Sequence, residues 1–229
     1  MHQIGQLNEQ PLHHGLKQYF AGGEGQTEVR LAGYVIDVVL GEQLIEIQTG
    51  NFSAIRQKMQ SLASTHPVRL VYPVAVEKWL IKGPKPGQGD GPTRRKSPKK
   101  GRIIEVFNEL VSFPELMQNP NFSLVVVLIR EEELREYREE RRWRQSGWKT
   151  TERRLLDVVD CKTYRTPADL AELLPQDLSP QFTTAEMAEA MRAPRRLAQK
   201  TAYCLRQMDV LTVIGKRGRS NLYAFGGRD

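Results

Sequence analysis

The sequence predicts an α/β protein, with a mixed central β-sheet flanked by helices and a smaller helical unit at the C-terminus. Three observations predict it. β-rich runs alternate with helix-period segments through the first two thirds of the chain. The run Phe122 to Ile129 is continuously apolar and rich in valine, as suits a strand buried on both faces. From about Thr163 the pattern changes to short amphipathic helices closed by two strands.

Leu7 to Phe20 has the helical period, with Leu12, Leu16, Tyr19 and Phe20 as its apolar positions and Pro11 near its start. Tyr34 to Leu40 and Gln43 to Thr49 are β-rich, and Gly41-Glu42 between them suits a two-residue turn whose first position needs a positive φ. That loop sets a register in which Leu40 faces Gln43, Val39 faces Leu44 and Asp37 faces Glu46. Asp37, Glu46 and Gln48 then share one face, and Ile36, Val38, Ile45 and Ile47 share the other.

Asn51 or Ser53 caps a helix from about Ala54 to Ala63, with Ile55, Met59 and Leu62 inward. Val68 to Val74 is a strand, and Pro73 to Lys82 continues it as a strand or an extended segment. The order is helix, three strands, helix, strand.

Residues 83–101 are rich in Gly, Pro and basic side chains, and are expected to form a mobile loop that contacts phosphate through Lys85, Arg94, Arg95, Lys96, Lys99 and Lys100. Ile103 to Met117 reads as one helix. Arg130 to Arg154 reads as a solvated charged helix and turn, with Arg141, Arg142 and Arg144 around Trp143, and Arg154 to Asp160 as a short last strand. The first domain is therefore expected over 1–160 and the second over 161–229.

In the second domain, Thr166-Pro167 caps a helix to Leu174, a second runs from Thr184 to Met191, and a third from Arg195 to Met208. Val210 to Ile214 and Leu222 to Phe225 are strands joined by a basic turn.

With 229 residues and a net charge of +7, the chain is long enough for two cores and suits a polyanionic partner. It has no apolar run of membrane-spanning length and no signal-peptide core, and its two cysteines, Cys161 and Cys204, form no motif. A soluble cytoplasmic protein with DNA as partner and no membrane association is expected. The histidines lack metal-ligand spacing to a cysteine, and His13, one helical turn from Glu9, is expected to be a surface neighbour.

Two directly opposed carboxylates repel each other, so Asp37 and Glu46 either face solvent or hold a divalent cation. A helix bearing an acid, a strand with Asp, a strand with Glu-x-Lys, a helix and a fourth strand resembles the core of the PD-(D/E)xK nucleases, to which archaeal Holliday-junction resolvases and many restriction enzymes belong. The matching positions are Glu9, Asp37 in GYVIDVV, and Glu46 and Gln48 in LIEIQT; the resemblance covers about Leu7 to Leu80.

The resemblance implies a restriction-endonuclease-like sheet and metal-dependent hydrolysis of phosphodiesters. Asp37 and Glu46 would hold Mg²⁺ or Mn²⁺, Glu9 would be an assisting acid and Gln48 would position water. Gln48 departs from the family's usual Lys; it donates a hydrogen bond but carries no charge. Lys58, on the following helix, is the candidate to restore that charge.

The C-terminal order resembles a winged helix-turn-helix domain over about Thr163 to Phe225. The resemblance implies that Arg195, Arg196, Gln199 and Lys200 meet a DNA groove and that Lys216, Arg217 and Arg219 of the wing meet the backbone. Two functions are consistent with these features: a DNA endonuclease, with a homodimer as one arrangement for cutting both strands, or a DNA-binding regulator whose nuclease-like core is inactive. Gln48 keeps the second open.

Overall fold

The computed structural model describes residues 11–84, 91–139 and 147–226. Helix α1 (Pro11–Ala21) starts with proline in its first turn, where a missing N–H costs nothing. Strands β1 (Gln26–Leu31), β2 (Tyr34–Leu40) and β3 (Gln43–Ile47) form an antiparallel meander. Gly41 has φ +59°, as the tight turn requires, and the pairs Leu40–Gln43, Val39–Leu44 and Val38–Ile45 reproduce the expected register.

A 3₁₀ turn (Phe52–Ile55) leads into α2 (Arg56–Ala63), which returns the chain so that β4 (Val68–Lys82) lies parallel to β3. The expected side-chain cap is absent: Asn51 takes the left-handed conformation with no capping bond. Strand β5 (Thr93–Lys96) follows, then a 3₁₀ turn (Ile103–Val106), α3 (Phe107–Leu110), a second 3₁₀ turn (Pro114–Gln118), β6 (Phe122–Arg138) and β7 (Gly147–Tyr164). The large sheet has the order β1-β2-β3-β4-β6-β7, with β5 also paired to β4; β4 and β6 are parallel, and β6 and β7 antiparallel.

Two apolar layers cover this sheet. Leu12 and Leu16 of α1 pack on Val38, Ile45, Ile47, Val71, Val125 and Val127. Met59 and Leu62 of α2, with Phe107, Leu110 and Phe113, pack on the opposite side with Leu44, Leu70, Leu124 and Val126. Ile36 belongs to this second layer and Val38 to the first, so β2 changes face between them and the expected common face of the two is corrected.

Three longer expectations are also corrected. The segment 103–117 is broken turns rather than one helix, because Pro114 cannot continue a helix past Phe113. The segment 130–154 is not a solvated helix: β6 and β7 run through it as a long antiparallel pair. Its charges alternate with period two, sending Glu131 and Glu133 inward to cations on neighbouring strands. In the basic loop, β5 pairs with Trp79–Lys82 of β4, Arg94 pairs with Glu132 and lies 4.0 Å over the Trp79 ring, and Lys96 pairs with Glu77. Glu9, residues 85–90 with Lys85, and the Arg141–Arg144 cluster lie outside the described residues.

The C-terminal elements are α4 (Pro167–Ala171), β8 (Gln181–Phe182), α5 (Thr184–Ala190), α6 (Arg195–Gln207), β9 (Leu211–Arg217) and β10 (Ser220–Phe225). Thr166 and Thr183 each close a capping box, with Asp169 and Glu186 as the third helical residues. The small sheet has the order β8-β10-β9. β7 runs to Tyr164, so the boundary expected at 160 falls inside a strand.

This unit is packed firmly on the rest. Leu197, Ala198 and Leu205 of α6, with Met208 just past its end, belong to the same buried cluster as Phe107, Leu110 and Leu116. The Arg102 guanidinium donates to the Met191 and Arg192 carbonyls, Lys200 Nζ donates to the Asn108 carbonyl at 3.0 Å, and Gln118 donates to Asp209.

Candidate functional site

The site forms where β2 and β3 separate. In β3 the Leu44 and Gln48 amides donate toward β4, to Pro67 O and Val71 O, so the Ile47 N–H and C=O point toward β2. The described ladder between β2 and β3 ends at Val38–Ile45. Side chains take its place: Asp37 Oδ2 accepts the Ile47 N–H at 2.8 Å, and His13 Nε2 donates to Ile47 O at 3.0 Å. His13 Nε2 also lies 3.2 Å from Asp37 Oδ2, and since both neighbours are acceptors, Nε2 carries the proton.

Glu46 lies one residue before Ile47. It is 7% exposed, and Lys58 Nζ from α2 reaches its Oε2 at 2.5 Å while also donating to the Val35 carbonyl. Burial pushes the Glu46 carboxyl up to about 7, with the Asp37 charge adding to the rise and Lys58 opposing it. Two neighbouring carboxylates therefore share this corner, and one of them ionises reluctantly.

Gln48 continues past β3 as a half-buried residue and donates to the Asn51 carbonyl at 3.4 Å. The structure thus brings Asp37, Glu46 and Lys58 together with His13, and leaves Gln48 on the adjoining turn. His13, expected to be a surface neighbour, is instead part of the site. Its sequence signal is its place next to Leu12 on a helix that covers the Ile47 face.

Among the described residues no group of three His, Cys, Asp or Glu side chains is arranged to hold a metal. Asp37 and Glu46 nevertheless offer the oxygen donors that a hard divalent cation takes together with water and substrate oxygens. Their second oxygens, Oδ1 and Oε1, take no hydrogen bond or ion pair from the described residues. The two carboxylates are therefore compatible with Mg²⁺ or Mn²⁺.

A second polar cluster lies along the same sheet, built from residues whose sequence pattern suggests only surface charge. Lys78 bridges Glu131 and Glu133 at 2.7 and 2.8 Å; Arg153 holds Glu131 at 2.6 Å, and Arg135 and Thr150 hold Glu133. Burial alone would raise Glu133, but hydrogen bonds from Lys78, Thr150 and Arg135 outweigh it and hold the carboxyl down at about 2. The cluster borders a cavity of about 380 Å³.

On the C-terminal unit, Arg195, Arg196 and Gln199 are exposed along α6, in line with Tyr203, which is 42% exposed, and Arg206. Tyr203 and Arg206 extend the stripe beyond the expected residues. Lys200 is turned to the contact with Asn108. Lys216, Arg217 and Arg219 lie on the exposed β9–β10 hairpin, with Arg217 paired to Glu186 of α5.

These features define an α/β protein with a mixed sheet flanked by helices, carrying a paired-carboxylate corner. The chain belongs to the family described as a domain of unknown function (DUF8091), which matches residues 10–165. It is also similar to an uncharacterized protein of Treponema pallidum (strain Nichols), 29% identical over 223 residues, 96% of this chain and 86% of the relative. That alignment extends past residue 165 into the C-terminal unit. No solved structure matches the chain significantly. Among the described residues no helix is long and apolar enough to cross a membrane.

Proposed function

We propose that the chain is a metal-dependent DNA endonuclease with a PD-(D/E)xK-type core, held on DNA by a C-terminal winged helix in a reducing cytoplasm. The observation that carries this reading is the Asp37–Glu46 pair at the divergence of two strands, where burial and mutual repulsion raise Glu46 to about 7. The element order α1-β1-β2-β3-α2-β4, with helices on both sides of the sheet, supports it. The order of α4, β8, α5, α6, β9 and β10 and the exposed basic stripe on α6 support the winged helix.

In this reading Asp37 and Glu46 hold Mg²⁺ or Mn²⁺, which would supply charge stabilisation at the scissile phosphate and lower the pKa of an attacking water. His13 fixes the Asp37 rotamer through their shared place on Ile47. Lys58 supplies the positive charge that Gln48 lacks, and Gln48 positions water from the adjoining turn. Glu9 remains the proposed assisting acid.

The test is incubation of purified protein with labelled duplex, junction and single-stranded DNA in Mg²⁺, Mn²⁺ or EDTA. Cleavage in either metal, absent in EDTA and abolished by Asp37→Asn, is the expected result. Equal cleavage in EDTA sinks the reading.

A second reading, a DNA-binding regulator with an inactive core, is favoured by Gln48 itself and by the close Lys58–Glu46 pair, which already neutralises one carboxylate. It expects DNA binding without cleavage under every metal condition.

A further inference from the structure

The edge of β4 that faces β3 is used twice. It pairs with β3 through Val68–Val71 and with β5 through Trp79–Lys82. Between these ladders the sheet has a gap, partly laced by Gly101 N–H to Ala75 O and Ser97 N–H to Lys78 O. Pro73 sits at the gap with its missing N–H on this unpaired side, which is why a proline is tolerated in an otherwise central strand. Gly101 is required for the lacing, since a Cβ there would lie 2.7 Å from both Ala75 O and Val74 Cγ1.

The gap opens into the cavity of about 380 Å³, at the lower end of the range that takes a small organic ligand. Thr49, one residue beyond Gln48, lines one side of it. Pro73, Val74 and Ala75 give an apolar wall, the Lys78–Glu131–Glu133 cluster a polar one, and exposed Lys99 a cation among the lining residues. Interior carboxylates oppose a phosphate deep in the cavity. An apolar wall facing a polar one, with exposed Thr49 and Lys99 among the lining residues, suits the face and edge of a nucleobase.

We propose that this cavity receives one unpaired nucleobase of the substrate, reached from the Asp37–Glu46 corner past Thr49, with Lys99 contacting the flanking backbone. The inference rests on the nuclease reading for its substrate, and it narrows that substrate to DNA with an unpaired or extruded nucleotide. A base still paired and stacked in a duplex cannot enter a pocket of this kind.

The test compares binding of the full chain, in EDTA, to three labelled duplexes: one continuous, one with a single unpaired nucleotide, and one with that nucleotide abasic. The unpaired nucleotide is expected to bind roughly tenfold tighter than the continuous duplex, the scale of one stacked base, and the abasic form to lose that gain. Thr150→Trp and, separately, Thr49→Trp fill the cavity from exposed positions and should each remove the preference while leaving affinity for continuous duplex unchanged. Equal affinity for the three duplexes, or a preference that survives both fillings, overturns the proposal. Because binding is measured without metal, a chain that discriminates but never cuts keeps the pocket and loses the hydrolase. One that cuts but does not discriminate, or that binds none of the three duplexes, loses the pocket, and the cleavage assay alone decides the hydrolase.

Discussion

Lys58 Nζ lies 2.5 Å from Glu46 Oε2 and 2.5 Å from the Val35 carbonyl, so a cation delivered by α2 ties the carboxylate to the neighbouring strand β2. Helix α2 places it there because Met59 and Leu62 bury against the sheet and leave Lys58 at the helix edge beside β3.

If Lys58 replaces the charge missing at Gln48, the two positions are interchangeable in charge but not in geometry. Lys58→Ala is expected to lower the metal-dependent cleavage rate by about 10²-fold or more, on the order of the loss of one electrostatic group at a phosphoryl centre. Gln48→Ala should cost less, and Gln48→Lys should recover part of the rate in the Lys58→Ala background. Single-turnover rates of the three variants and the double variant decide the matter. No recovery in the double variant removes Lys58 from the role of substitute.

Glu46 and Glu133 pull the pH dependence of stability in opposite directions. Glu46 has its folded pKa raised from 4.5 to about 7, so the folded state binds the extra proton. Its contribution is most favourable below 4.5 and is lost as pH rises through 7, by about 3 kcal/mol at the upper limit. Glu133 is held at about 2, so its contribution is present above the ordinary carboxylate range and is lost as acid approaches 2. Urea unfolding at about pH 5 and pH 8 should show wild type losing stability relative to Glu46→Gln at the higher pH. The two proteins following parallel curves would contradict the raised pKa.

Lys78 is the joint of the buried cluster. Lys78→Met leaves Glu131, which has no exposed surface, with Arg153 as its remaining cation. Breaking a buried ionic network from one side costs roughly 3–5 kcal/mol. Thermal unfolding should show a large drop for Lys78→Met and a much smaller one for Lys96→Met, whose Glu77 partner is partly exposed. Equal drops would mean that the cluster is no more than a surface network.

The β2–β3 hairpin is legible in the sequence because Gly41-Glu42 fixes its register from Leu40–Gln43 to Val38–Ile45. The ladder stops there, so the expected cross-strand facing of Asp37 and Glu46 gives way to a corner in which Asp37 accepts the Ile47 N–H. His13 is not legible, because its role depends on Ile47 groups that become unpaired only when β2 turns away from β3. Over 130–154, charge density masks the two-residue alternation of Glu131 and Glu133, whose partners Lys78 and Arg153 lie far away in sequence. Pro114 is a visible helix breaker, yet the apolar spacing of 103–117 continues across it and suggests one helix where there are three short turns. In the C-terminal unit the helices are legible from Thr166, Thr183 and Pro194, whereas β8 is too short to carry a pattern of its own.

Two sets of cations on the C-terminal unit differ in what they can do for DNA. Arg195, Arg196 and Arg206 lie on the exposed stripe of α6, while Lys200 is engaged with the Asn108 carbonyl at the contact with α3. These cations should therefore separate by readout. Reversing Arg195, Arg196 and Arg206 to Glu should weaken duplex binding and flatten the log–log salt slope by about 0.9 for each phosphate no longer neutralised. Reversing Lys216, Arg217 and Arg219 should do likewise, although Arg217 must first leave Glu186. Lys200→Ala should leave the slope unchanged and instead lower thermal stability by about 1 kcal/mol, the scale of one hydrogen bond from a charged donor at a packed surface. Anisotropy titrations of the full chain at several salt concentrations, paired with melting curves, distinguish the two sets. If Lys200→Ala flattens the slope as strongly as the α6 reversals, docking against α3 is not its role and Lys200 belongs to the DNA-facing surface.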